Sequence, residues 1–217
     1  LYPIADSYVS SENPDTNYGN ATSLILYINS RERYAYIMFD LSSIPSNATI
    51  LSGTLWLSLR GISGFSASIG AYHCNDTSWT ELGITWNNKP SFAPKATGTC
   101  YFYGWVSLGY YGWSVTADVK AAFSTGKLTE VLKFEWSDLY TSADFGSRET
   151  TYGPELVVVY VTAPVYDVRV ESVQDTGATS NVGTITIADT TLTLLQDVDT
   201  MAGSYQVTYN SGYVFVR

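Results

Sequence analysis

At 217 residues, 45% hydrophobic and only 14% charged, the chain is long enough to bury a sizeable core and too apolar to stay disordered. Its formal net charge of −9, with no Lys/Arg cluster to offset it locally, excludes nucleic acid and anionic membrane surfaces as partners. The longest apolar run, Leu156–Val161, is strand length and far short of the ~18 residues of a membrane-spanning helix, so no membrane insertion is expected.

Ser and Thr together number 50 and Tyr 18, a hydroxyl-rich composition that suits a secreted or cell-surface protein. The chain starts at Leu1 rather than Met and enters a strand almost at once, as a mature protein does after loss of a signal peptide.

Short strands are predicted in succession at Ser7–Ser10, Leu24–Ile28, Tyr34–Phe39, Gly53–Leu59, Ser68–His73, Gly98–Tyr103, Gly112–Val115, Val131–Trp136 and Glu155–Val161. Turn clusters rich in Gly, Pro, Asn, Ser and Thr separate them, a spacing that points to a sandwich or jelly roll. The clearest element is the third. Tyr34, Tyr36 and Met38 alternate with Ala35, Ile37 and Phe39 as in a half-buried strand, and Asp40 to Pro45 then break the ladder. One short helix is expected within Val115–Ser124, with Val119, Ala122 and Phe123 facing inward and Gly126 ending it.

A boundary falls at Thr162-Ala163-Pro164, which divides the chain into domains 1–163 and 164–217. Trp and Cys vanish after it, and five strand-like runs remain: Tyr166–Val173, Gly183–Ile187, Thr191–Gln196, Gly203–Tyr209 and Tyr213–Val216. Asp175-Thr176-Gly177 and Asn210-Ser211-Gly212 supply turns, the second suited to a tight hairpin. The pattern reads as a small immunoglobulin-like β-sandwich, yet such a fold takes about seven strands. Three completions stay open: further strands of its own, packing on the first domain, or a strand from a neighbouring subunit.

The two cysteines, Cys74 and Cys100, end strand-like runs, and a disulfide between them is expected in a secreted chain; two packed thiols are the plainer alternative. His73 and Cys74 are adjacent in a strand and so point to opposite faces, which argues against a metal held by that pair. Asp6, Asn13, Asp15 and Asn17 put hard oxygen ligands around an early loop. Asp6 and Asp15 are therefore the candidate ligands for a structural calcium, although Asp15 and Asn17 equally suit turn capping. No other cofactor is implied.

Aromatic residues concentrate between Tyr101 and Trp113. Tyr101, Tyr103 and Trp105 share strand parity, so exposed they would stack on the apolar faces of sugar rings, whereas buried they would be core. Sequons at Asn20, Asn47 and Asn75 fall in predicted turns and are candidate glycosylation sites. With one histidine lacking motif context, no catalytic set emerges and no enzyme is expected.

Several blocks carry a family resemblance: Ala5-Asp6-Ser7-Tyr8-Val9 followed by Pro14 and Asn17-Tyr18-Gly19; Arg33-Tyr34 through Phe39-Asp40-Leu41-Ser42-Ser43-Ile44-Pro45; Ser78-Trp79-Thr80-Glu81; and Ile84-Thr85-Trp86-Asn87-Asn88-Lys89-Pro90. Trp113 to Val119, Phe145-Gly146-Ser147-Arg148-Glu149 and Pro154-Glu155-Leu156 complete them. Over about residues 4–161 the chain resembles the DNRLRE family, jelly-roll modules also grouped among carbohydrate-binding modules. The Cys74/Cys100 pair and the Tyr-rich run 101–113 depart from that pattern. The resemblance implies a non-catalytic extracellular module with carbohydrate binding known for some members, and makes Trp79 and Trp86 core positions.

Two functions compete at this point. The first is a structural subunit of a surface filament or pilus-like fibre, whose copies join head-to-tail by strand addition through either the Leu1–Val9 or the Tyr205–Val216 end. It rests on the undersized tail and the bare terminal strand. The alternative is a secreted carbohydrate-binding module that uses Tyr101, Tyr103 and Trp105 on glycans.

Overall fold

The computed structural model describes residues 1–162 apart from Ser30, Phe65 and Leu139, together with tail residues 168–169, 184–187, 190–193, 207–210 and 213–216. The chain divides into two compact units, Leu1–Ala163 and Pro164–Arg217.

The first unit is all-β apart from one short helix. Its strands are β1 (Pro3–Ser10), β2 (Ser23–Tyr27), β3 (Arg33–Asp40), β4 (Ala48–Ile62), β5 (Ser66–Cys74), β6 (Gly98–Tyr103), β7 (Gly109–Ser114), β8 (Lys127–Ser137), β9 (Ser142–Gly146) and β10 (Glu155–Thr162); helix α1 spans Thr116–Ala122. They form one antiparallel sheet in the order β10-β4-β9-β2-β3-β8-β5-β6, with β1 paired to β3 and β7 to β4. The sheet curls so that its two ends wrap one core. The Trp113 indole N–H on β7 donates to the Ile69 carbonyl on β5 at 2.7 Å, a bond that ties the two walls together. Gly98 at the start of β6 lies directly against the Ser114 backbone, where even a methyl group would collide.

The main core gathers Leu24, Leu26, Ile37, Phe39, Leu55, Leu57, Ile69, Trp113, Leu132 and Phe145. Helix α1 closes one end of it, with Val119 and Ala122 buried and Phe123 packed against the core as its periodicity predicts. Gly53 lets the helix sit close: an added Cβ there would meet Val119, and its N–H is bonded to the Thr116 hydroxyl at 3.0 Å.

Strand β3 differs from the half-buried element expected. Residues 35–39 are buried on both faces. Ala35, Ile37 and Phe39 enter the main core, while Tyr36 belongs to a second cluster with Val9, Tyr72, Cys74, Ile84 and Val131. Segment 75–97 covers that cluster and lays Trp79, Trp86 and Phe92 over it. The Tyr36 hydroxyl donates to the Pro90 carbonyl at 2.7 Å, and the Trp79 indole donates to the Thr129 hydroxyl at 3.1 Å. The Tyr36 hydroxyl thus finds a partner and its ring is covered, while Tyr34 packs on Trp86 and Phe92.

The disulfide expectation is corrected. Cys74 and Cys100 are both free thiols. In the β5–β6 register Cys100 lies opposite Ile69, five positions along β5 from Cys74. At ~3.3 Å per residue that separation is far beyond the ~7 Å a disulfide bridges. The Cys74 thiol instead donates to the Ser91 and Asp76 carbonyls and helps hold segment 75–97.

The Leu1–Val9 end is corrected too as a strand to be donated to a neighbour. β1 is paired with β3 along its length and almost wholly buried, and the Leu1 amino group donates to the Leu156 carbonyl at 2.7 Å. Apolar side chains and main-chain groups are already engaged within the chain.

In the second unit β11 (Val168–Arg169), β12 (Thr184–Ile187) and β13 (Thr190–Thr193) form a three-stranded antiparallel sheet. β14 (Val207–Asn210) pairs with β15 (Tyr213–Val216), with Asn210 opposite Tyr213; the predicted hairpin turn residues Ser211-Gly212 lie outside the described residues. The predicted turn Asp175-Thr176-Gly177 and the outer parts of the predicted strands 166–173, 191–196 and 203–209 lie outside the described residues. No helix among the described residues is long and apolar enough to cross a membrane.

Candidate carbohydrate-binding face

Tyr101 and Tyr103 stand two residues apart on β6 and therefore share a face. Their register partners on β5 are Ser68 and Ser66, and Ser68 is in turn opposite Trp136 on β8. Tyr101, Ser68 and Trp136 thus form one lateral row, with Tyr103 and Ser66 in the next. The two tyrosine rings are parallel, 3° between planes with centroids 6.2 Å apart, the offset arrangement aromatic pairs prefer. Tyr101 is 61% exposed, Tyr103 66% and Trp136 53%, so three flat faces reach solvent from a floor of serine hydroxyls. Phe102, of opposite parity, is buried and anchors β6 from below.

Trp136 owes its direction to a β-bulge. Phe134 is opposite Ile69 and faces the core, and strict alternation would send Trp136 inward beside it. The β5–β8 register shifts between Ser68 and Ile69, however, leaving Glu135 as the extra residue and turning Trp136 outward. Sequence reasoning missed Trp136 for this reason: no local signal marks the slip. Glu135 sits at the margin of the platform, where its carboxylate accepts a 3.3 Å bond from the Tyr72 hydroxyl. Burial, with the Glu135 carboxylate beside it, pushes the Tyr72 phenol up to about 12. Lys133 lies over the Tyr72 ring at 5.0 Å, on the same side.

Trp105 does not continue the row. It lies beyond the end of β6, in the loop after Gly104, and is fully exposed. Strand parity has no hold there. The rest of the Tyr-rich run is divided by burial: Trp113 is core, Tyr111 packs on Phe102 at 4.9 Å, and Tyr110 points outward from β7. A second, smaller aromatic surface arises where Trp56 lies flat on Gly112, opposite it across β4 and β7, with Tyr110 in the adjacent register.

The calcium candidates Asp6 and Asp15 are not brought together. Asp15 accepts a 2.7 Å bond from the Asn87 side chain and tethers segment 75–97. Asn17 donates to the Glu81 and Ile84 carbonyls and accepts from the Gly19 N–H, a loop staple rather than a ligand. Asp6 instead lies beside Glu81 and Glu149, oxygens within 4.8 Å. It accepts the Arg148 backbone N–H at 2.8 Å, and the Arg148 guanidinium clamps both Glu81 oxygens at 3.0 and 2.8 Å. Burial, reinforced by Glu149 and Glu81, pushes the Asp6 carboxyl up to about 7. The three sequon asparagines, Asn20, Asn47 and Asn75, are all exposed in connections between strands.

Comparison with known proteins supplies a family but no site. The chain is 27% identical over 162 residues to a gellan lyase of Bacillus sp, an alignment that takes in 73% of this chain. It spans only 6% of that relative's length. Residues 1–160 match the family model of carbohydrate-binding module family 96, which carries the carbohydrate-binding part of the sequence resemblance though not the DNRLRE name. The chain belongs to carbohydrate-binding module family 96.

Proposed function

We propose that residues 1–163 form a non-catalytic module that binds an extracellular polysaccharide by stacking sugar rings on Tyr101, Tyr103 and Trp136. The observation that carries this reading is the exposed, parallel Tyr101–Tyr103 pair in register with Trp136. Such rings offer apolar faces to sugar C–H groups, and the hydroxyls of Ser66, Tyr101 and Tyr103 with the Glu135 carboxylate serve the sugar's own hydroxyls. Trp105, exposed in the adjoining loop, is a supplement rather than part of the platform. The relative's name makes gellan the first polysaccharide to try. Residues 164–217 are read as an appended immunoglobulin-like β-module, supported by the division of the chain after Ala163. Family membership favours this function over the filament subunit, for which neither the buried, self-paired β1 nor the comparisons give support.

The test is affinity electrophoresis of the full chain through gels containing gellan or other soluble polysaccharides. Tyr101→Ala and Trp136→Ala are each expected to weaken retention about tenfold, from ~1–1.5 kcal/mol per stacked ring. Raising salt should not weaken it, because stacking rather than ion pairing holds the ligand. Retention that persists undiminished in both variants would move the site elsewhere, with Trp56 and Tyr110 next to be replaced.

A further inference from the structure

The molecule's one histidine takes part in a buried cluster that the aromatic face does not use. His73 on β5 is the direct cross-strand partner of Glu130 on β8, and Asp118 comes down on both from α1. One nitrogen of His73 and one carboxylate oxygen each of Asp118 and Glu130 lie within 4.8 Å of one another. Glu130 is completely buried and Asp118 nearly so, whereas His73 keeps partial access to solvent.

The hydrogen-bond inventory is what separates this cluster from an ordinary polar contact. Asp118 Oδ1 accepts the Thr97 hydroxyl at 2.8 Å. With both carboxyls ionised, Asp118 Oδ2, both Glu130 oxygens and His73 Nδ1 are buried and no donor among the described residues reaches them; a proton on Glu130 would be shared with Asp118. The ion pairs of the described residues all lie elsewhere, on Glu12 and Glu81. Buried polar atoms without a partner are costly unless something charged or hydrogen-bonding lies against them, and here one ligand atom from each of the three residues lies within 4.8 Å of the others.

We propose that His73, Asp118 and Glu130 form a site for a divalent transition-metal ion of the zinc class. One imidazole and two carboxylates are three hard-to-borderline ligands, the number that leaves tetrahedral zinc a fourth position for water. Calcium needs six to eight oxygens and finds too few here. The ion neutralises two buried carboxylates and pins α1 to β5 and β8, closing the end of the main core. Its entry displaces any proton held between Asp118 and Glu130. Cys74, adjacent in sequence, faces the opposite side of the sheet among the second cluster and takes no part.

The experiment is titration of chelator-treated full-length protein with Zn²⁺ at neutral pH, read by calorimetry and by the NMR signals of the sole imidazole. Expected are one ion per chain, a large shift of that imidazole resonance, a higher Tm, and a visible absorption band of tetrahedral type when Co²⁺ replaces Zn²⁺. Glu130→Gln and His73→Gln should each reduce affinity at least tenfold. Should Glu130→Gln fail to fold, His73→Gln at the partly exposed position decides. Absence of binding, or binding that leaves the imidazole resonance unmoved, would overturn the proposal and leave a proton shared between Asp118 and Glu130. The result does not depend on whether the aromatic face binds carbohydrate.

Discussion

Asp6→Asn is expected to leave the first unit's stability nearly unchanged at pH 4 and to raise it at pH 8. The carboxyl is buried beside Glu81 and Glu149, which pushes it up to about 7 from its ordinary 3.8. Below pH ~4 it is neutral in both folded and unfolded chains. Between the two values the unfolded chain releases the proton while the folded chain keeps it, so folding becomes progressively less favourable as pH rises. At about 1.4 kcal/mol per pH unit the loss reaches ~4 kcal/mol by neutrality. Asparagine keeps an oxygen for the Arg148 N–H and has no proton to lose. Urea unfolding followed by tryptophan fluorescence measures the effect cleanly, since all six tryptophans lie before residue 163. Exposed carboxylates such as Asp40, held below its ordinary value by the Ser42 backbone N–H, and Asp76, by the Ser78 hydroxyl, titrate alike in both proteins and cancel. A difference between variant and parent that stays flat from pH 4 to pH 8 would refute the buried-carboxyl argument.

Three further outcomes follow from the packing. Trp113→Phe removes the 2.7 Å bond to the Ile69 carbonyl and opens a small void in the main core, so the unfolding free energy should fall by about 2–3 kcal/mol, lowering the midpoint with the slope unchanged. Gly19→Ala drives a methyl group into the Glu81 main chain and should displace the loop that Asn17 staples, at a cost of about 1–3 kcal/mol in the same assay. Denatured protein kept free of reductant should titrate with two thiols per chain, and reductant should leave its Tm unchanged. In the native state both thiols should react slowly, since burial raises each above its ordinary value; a thiol count of zero would restore the disulfide.

The proposed aromatic face lies on a sheet surface, and half of its arrangement is legible in the sequence. Alternation along 98–103 is enough to put Tyr101 and Tyr103 on one side and Phe102 on the other, because strand parity is a local property. Turn residues likewise delimit most strands, and Gly126 ends the helix where its composition says, through N–H bonds to Ala122 and Phe123. Strand β9 escaped notice because Ser142–Gly146 is short, small and polar, and is strand only by pairing with β2 and β4. Long-range register settled everything else. It separates Cys74 from Cys100, turns Trp136 outward through a bulge, and sets Asp6 with Glu81 and Glu149 rather than Asp15. It also brings His73, Glu130 and Asp118 to one buried point. Such placements depend on which strand lies beside which and in what phase, and a one-residue slip reverses a face. The sequence by itself therefore determined the all-β class and the shared face of Tyr101 and Tyr103, whereas only the tertiary structure decided that this face is exposed and which residues neighbour it. The cause is that side-chain alternation is encoded residue by residue, while pairing between distant strands is chosen by the packing of the whole core.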